Sequence, residues 1–133
     1  VPLAFPALPK LPDDDAWEGI SLDQLRAWDW APENPALLRR QGLPIALSTH
    51  ALGDKKEFRK NLRAALDRGL SETDALAALT TVPAEVLGLA DRLGTLAPGK
   101  LANLTLVAGS YFDPEAKVRA VWVDGRPYEL PAG

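Results

Sequence analysis

The chain has 133 residues, 47% of them hydrophobic, with 15 basic against 18 acidic residues and a net charge of −3. That length and apolar content suit about one domain with a buried core, and with no basic excess there is no support for a nucleic-acid partner. No apolar run is long enough to span a membrane, no signal-type segment opens the chain, and the lack of cysteine excludes disulfides and thiolate metal sites. Methionine is also absent, position 1 included, which reads as a processed or truncated piece of a longer protein. The compartment stays open between cytoplasm and periplasm.

Val1–Pro12 carries prolines at positions 2, 6, 9 and 12. Proline has no amide donor for a central strand or helix interior, so the segment reads as an extended edge with Val1, Leu3 and Phe5 on one apolar face. Asp13-Asp14-Asp15 reads as a solvated loop rather than a cation site, because adjacent side chains do not converge. Ser21-Leu22-Asp23-Gln24 has the form of a capping box and predicts a short helix to about Trp28. Trp17, Trp28 and Trp30 read as anchors of a loop on the core rather than as a stacking surface. Pro32-Glu33-Asn34-Pro35 opens a second helix, with Asn34 as cap, Pro35 in the first turn and Gly42 as the stop.

Leu43–Thr49 is apolar on both alternations. It predicts a strand buried on both faces, as in a parallel sheet covered by helices. In such sheets and barrels chemistry gathers at the carboxyl ends of strands, and here Ser48-Thr49 leads into His50, the single histidine of the chain. From Asp54 an amphipathic helix presents Phe58, Leu62, Ala65 and Leu66 on one face. Lys55, Lys56, Arg59, Lys60 and Arg63 read as its solvated face, and Gly69 ends it. Ser71-Glu72-Thr73-Asp74 caps the next helix, with Ala75, Leu76 and Leu79 as the buried stripe. Thr80-Thr81-Val82-Pro83 breaks that helix, and Pro83 opens a final short one stopped by Gly88.

From Gly94 the character changes. Pro98-Gly99 is a turn dipeptide, and Leu104–Val107 follows as a strand. A polar connection covers Gly109–Lys117. Val118–Val123 is a second strand, and Asp124-Gly125 is the favoured two-residue hairpin turn, since both positions need φ > 0. Arg126–Leu130 returns as an edge strand that tolerates Pro127.

Three stretches, in this order, resemble the C-terminal end of the amidohydrolase superfamily, metal-dependent hydrolases of the dihydroorotase, imidazolonepropionase and prolidase-like type. They are Gly69-Leu70-Ser71 through Leu87-Gly88-Leu89, Gly94-Thr95-Leu96-Ala97-Pro98-Gly99-Lys100-Leu101-Ala102-Asn103-Leu104, and Val118-Arg119-Ala120-Val121-Trp122-Val123-Asp124-Gly125. Asn103 stands where the family usually has Asp. The resemblance implies an α/β fold, with residues 1–92 as the last part of a (β/α)8-type barrel and residues 93–133 as the C-terminal strands of a small β-sandwich. Of the family's metal ligands, only the Asp that ends the last barrel strand falls within this chain, and by position His50 replaces it. The resemblance therefore implies His50 as catalytic residue and metal ligand. A histidine can bind zinc through a neutral ring nitrogen or act as a base near neutral pH. Asp54 is a second candidate carboxylate, equally explained as a helix cap.

The function so implied is that of a fragment of a hydrolase acting on carbon–nitrogen bonds, in non-peptide or cyclic amides, with a metal-activated water attacking the carbonyl. A divalent metal, zinc first, is implied for the complete protein. The isolated chain lacks the full ligand set and is expected to hold no metal and show no activity. The alternative is a non-catalytic amidohydrolase-like binding or structural module that has lost the site. Expected partners are the remainder of the parent chain, a small-molecule substrate of the parent, and a second copy, because a buried strand and open hairpin edges need neighbours.

Overall fold

Apolar side chains at odd positions draw the opening segment into the core. Leu3 is fully buried, and Val1 and Phe5 pack at the core's margin. The computed structural model describes residues 1–10 and 19–130; Pro12, the Asp13-Asp14-Asp15 run and Trp17 lie outside these. The opening residues run parallel to Ala46–Ser48. The Val1 nitrogen donates to the Ala46 carbonyl at 2.7 Å, Ser48 N–H to the Val1 carbonyl at 3.0 Å and Leu3 N–H to the Ser48 carbonyl at 3.2 Å.

This pairing amounts to one parallel bridge, Pro2 with Ser48, which corrects the expectation of a two-faced buried strand over 43–49. Ile45 and Leu47 are buried, Ala46 is half-buried, and Leu43, Pro44, Ser48 and Thr49 are exposed. The reason lies in the neighbours. One edge of the segment meets Val1–Leu3, while Leu47 N–H turns to the Ala78 carbonyl at 3.0 Å instead of a second strand.

Among the described residues five α-helices follow in chain order: α1 (Leu22–Trp30), α2 (Asn34–Arg40), α3 (Glu57–Asp67), α4 (Glu72–Leu79) and α5 (Thr81–Val86), with a 3-10 turn at Ala31–Glu33 between the first two. The Ser21–Gln24 capping box forms as read, each side chain bonding the other's backbone N–H. Yet α1 buries no residue. Trp28 and Trp30 are 38% and 57% exposed, so neither anchors the core as expected. Arg26 lies over the Trp30 ring at 5.8 Å, and Arg68 donates to Asp29 to join α1 to the end of α3. Asn34 is the first residue of α2 rather than its cap, because the 3-10 turn already supplies the helical entry.

The α3 stripe is as read: Leu62 and Ala65 are buried, and Phe58 and Leu66 pack against them. The helix starts at Glu57, after a turn in which Asp54 accepts from Lys56 N–H at 2.9 Å. On α4, Ala75 is buried and Leu79 packs against the core as expected, but Leu76 is 54% exposed and Ala78 is buried in its place. The cause is the close approach of the 43–48 segment through Ala78. α5 starts at Thr81, two residues before Pro83. Proline in the first turn removes a donor that has no intrahelical partner.

The second part of the chain is a three-stranded antiparallel sheet in the order β1 (Leu104–Ala108), β2 (Lys117–Val123), β3 (Arg126–Glu129). Leu104 pairs with Trp122 and Val121 with Tyr128, and a register shift falls between Leu106 and Val107. Asp124 and Gly125 have φ of +52° and +77°, as the hairpin turn requires. Asn103 Oδ1 accepts from Asp124 N–H at 2.8 Å and fixes this turn. The stretch from Gly94 joins the two parts. A Cβ on Gly94 would lie 2.9 Å from Ala84 Cβ and 3.1 Å from the Thr80 carbonyl, so only glycine lets this backbone meet α4 and α5. Lys100 closes the loop by donating to the Ala90 carbonyl at 2.7 Å and to Thr95 Oγ1 at 2.6 Å.

Arg59 makes the other tie, and it is not part of a solvated face. Its guanidinium donates to the carbonyls of Ala116 at 3.0 Å, Tyr111 at 3.1 Å and Asp113 at 2.9 Å, and it lies over the Tyr111 ring at 5.1 Å. The connection expected to be merely polar therefore brings Tyr111 and Phe112 against the core. Among the described residues no helix is long and apolar enough to cross a membrane.

Two predictions follow from these ties. Arg59→Ala is expected to lower unfolding stability by about 2 kcal/mol, the scale of hydrogen bonds from a charged donor. Arg59→Lys should recover less than half of that, because an ammonium cannot serve the fork of acceptors; equal urea midpoints for wild type and Arg59→Ala would refute the clamp. The Ser71 hydroxyl, then the Arg39 guanidinium at 2.9 Å, hold the Asp74 carboxyl below its usual range. Its stabilisation is complete above the unfolded carboxylate pKa of about 3.9 and is lost as pH falls through the lower folded value. Asp74→Asn should thus be less stable than wild type at pH 7, with the difference shrinking below about pH 4. A difference that stays constant down to pH 2 would contradict this.

Candidate functional site

The parallel pair fixes where the candidate site lies. Val1–Leu3 and Ala46–Ser48 point the same way, so the residues that leave both carboxyl ends emerge side by side. Thr49 and His50 are the first of these on one strand and Ala4 and Phe5 on the other. His50 is exposed, its N–H lies 3.4 Å from Ser48 Oγ, and no described residue hydrogen-bonds its imidazole.

The chain reverses directly after His50. Leu52 N–H donates to the Thr49 carbonyl at 3.2 Å, and Ala51 in this turn has φ +62°. A left-handed alanine costs on the order of 1 kcal/mol through the clash of its Cβ with the following carbonyl. Residues held this way often lie at functional sites. Asp54, the second candidate carboxylate, spends one oxygen on Lys56 N–H in the turn before α3. The site thus brings His50 and Asp54 to the same end of the fold, four residues apart and both exposed.

A pocket of about 440 Å³ opens beside Asp54; His50 is not among its lining residues. Its walls come from Ala4–Ala7 after one strand, Ala51–Asp54 after the other, the first turns of α3, and Trp28 with Pro32. Asn61, on α3, donates from Nδ2 to the Leu3 carbonyl at 2.7 Å and so holds the end of that strand. Sequence reasoning missed Asn61 and the part of Trp28 in this wall. A polar residue one position before Leu62, beside the apolar stripe of α3, was the available signal for the first.

Fit to a metal can be tested on the donor set. Among the described residues no three His, Cys, Asp or Glu side chains are grouped so as to hold a metal ion. One imidazole at a strand end does not form such a site, so the described residues do not fit a metal by themselves.

A model of the amidohydrolase family matches residues 29–128, and the chain belongs to that family. Its structure is similar to that of an amidohydrolase from Thermotoga maritima MSB8, with a TM-score of 0.70 and 33% identity over 83% of this chain and 28% of that one. It shares its fold with a Xaa-Pro dipeptidase solved with methionine bound in the active site, at a TM-score of 0.67 and 23% identity over 80% of this chain and 27% of that one. In sequence it is 37% identical over 65 residues to adenine deaminase 2 of Jannaschia sp. (strain CCS1), covering 49% of this chain and 10% of that protein. The chain thus spans about a tenth of that curated relative and little more than a quarter of these solved chains.

Removing the Cβ clash in the turn after His50 gains about 1–2 kcal/mol, more than the ~0.5–1 kcal/mol of added chain entropy, so Ala51→Gly should raise stability by about 0.5 kcal/mol or more. Chemical denaturation checks this; a loss of more than about 1 kcal/mol, the usual cost of Ala→Gly at an unstrained position, would mean that Ala51 is not strained.

Proposed function

We infer that this chain is the closing portion of a metal-dependent amidohydrolase that hydrolyses carbon–nitrogen bonds, in non-peptide or cyclic amides, of a small-molecule substrate. One observation carries the reading. In a chain of this family, the parallel segment delivers the single histidine to its carboxyl end, at a strained turn, with no described partner on the ring. The names of the similar proteins, an amidohydrolase, a deaminase and a dipeptidase, all describe cleavage of a bond from carbon to nitrogen.

In this reading residues 1–92 are the last part of a (β/α)8-type barrel and residues 93–133 are strands of a small β-sandwich. The remaining ligands come from the rest of the protein. A divalent metal, with zinc the ion best suited to an imidazole ligand, would supply the polarisation of the reacting groups. Because the residues of this chain do not fit such an ion alone, no step is assigned through it. With one ring nitrogen on the ion, the other N–H of His50 would donate to substrate or solvent; off the ion, the ring would instead be available to accept a proton from an attacking water.

A second reading has one feature in its favour. An imidazole stands where the family carries a carboxylate, which suits a non-catalytic binding or structural module that has kept the fold. Assay of the complete parent protein, loaded with zinc or manganese, against N-acyl amino acids and cyclic amides separates the two. The first reading predicts turnover that falls about 100-fold or more in His50→Ala, the scale of a lost general base. No turnover with any divalent metal would assign the protein to the second reading. Residues 1–133 alone are expected to be inactive, and measurable turnover by them would show that the ligand set is complete without the rest.

A further inference from the structure

We propose that the pocket beyond the carboxyl ends of the parallel pair binds small molecules that carry an ammonium group on an apolar body. This deepens the functional reading above and rests on it for the pocket's biological role, but binding itself is independent of hydrolysis.

Position is the first argument. The chain lines this pocket with Ala4–Ala7, directly after one bridged segment, and with Ala51–Asp54, three residues after the other, so it opens at the carboxyl end of the pair, the end at which ligands sit in α/β folds. Its volume of about 440 Å³ is in the range of small-molecule sites. The other large groove, beside Arg59 and Tyr111, lies between α3 and the 110–114 loop, away from these strand ends.

The lining chemistry is the second argument. Phe5, Leu52 and Trp28 supply an apolar and aromatic wall, and the indole of Trp28 remains open to a ligand at 38% exposure. An aromatic face attracts a cation through its quadrupole. The charges agree in sign. Asp54, Glu57 and Lys60 line the pocket, Lys60 is neutralised by Glu57 at 2.9 Å, and Asp54 is left with no side-chain cation bound. Lys55 and Lys56, which follow Asp54, do not line this pocket, and Lys56 lines the groove beside Tyr111.

Hydrogen-bonding capacity is the third. Asn61 spends its amide nitrogen on the Leu3 carbonyl and keeps its oxygen as an acceptor. With the Asp54 carboxylate this makes an acceptor-rich wall. An ammonium group only donates, so it satisfies that wall, whereas a carboxylate of the same size would leave it unpaired and repelled.

The test is an NMR titration of the 15N-labelled protein with phenethylamine, and in parallel with 3-phenylpropionate, which has a similar body and the opposite charge. Saturable shifts of the Trp28 indole N–H and the Asn61 side-chain amide with the amine, and binding of the carboxylate at least about tenfold weaker, are expected. Asp54→Asn keeps the acceptor for Lys56 N–H and should weaken the amine about tenfold. Equal binding of both probes, shifts confined to the Tyr111 groove, or no saturable shift would each overturn the proposal. Both probe arms use the unaltered protein, so the result does not depend on how the variant folds. Loss of hydrolysis in the parent would leave this result standing, and absence of binding would leave the role of His50 standing.

Discussion

Three backbone hydrogen bonds hold Val1–Leu3 against Ala46–Ser48, and Leu3, Ile45 and Leu47 are buried beneath them. The pairing joins parts of the chain that are some 45 residues apart. Its direction decides the rest. Because the two segments are parallel, their exits coincide, and that puts Phe5, the Ala51–Asp54 turn and the N-terminal end of α3 around one opening, with His50 just before that turn and outside the pocket's lining. The helices serve the pair from below. Leu62 and Ala65 of α3 and Ala75 and Ala78 of α4 supply the apolar floor, and the Ala78 carbonyl takes the Leu47 N–H that in a parallel sheet would go to a neighbouring strand.

The two halves of the chain are joined by polar contacts and by Tyr111 and Phe112, which pack against the core of the first half. Arg59 reads three carbonyls of the 109–116 connection, and Gly94 lets the following stretch lie directly on α4 and α5. Such ties fix the relative position of a loop and a helix at small apolar cost. They also leave the sheet with apolar residues open to solvent, Leu106, Val123 and Tyr128 among them. Those side chains fit the reading in which further strands of the protein complete a sandwich.

What the sequence disclosed depended on the range of the physics involved. Caps and turns are local, so the Ser21 box, the Ser71 cap, Gly69 and the Asp124-Gly125 turn were legible from neighbouring residues alone. The α3 stripe was legible because its period and its amphipathic contrast agree. Arg59 was not, since its partners are backbone carbonyls 52 to 57 residues away and backbone carbonyls leave no mark in a sequence. Nor was the choice between Leu76 and Ala78 on α4. Both lie within the apolar set of that helix, and close approach of the 43–48 segment favours the smaller side chain. The place of His50 at the carboxyl end of the 43–49 segment was legible. The pocket beside it was not, because its walls come from four separate parts of the chain.

Native-state hydrogen exchange at three amides tests the central claim most directly. If the parallel pair organises the fold, the N–H groups of Leu3, Leu47 and Ser48 are protected together and exchange as slowly as those of buried Leu62 and Ala65. If these three exchange as fast as the amide of exposed Gly53 while α3 stays protected, the pair does not exist in solution, and neither His50 nor the pocket has the position assigned to it.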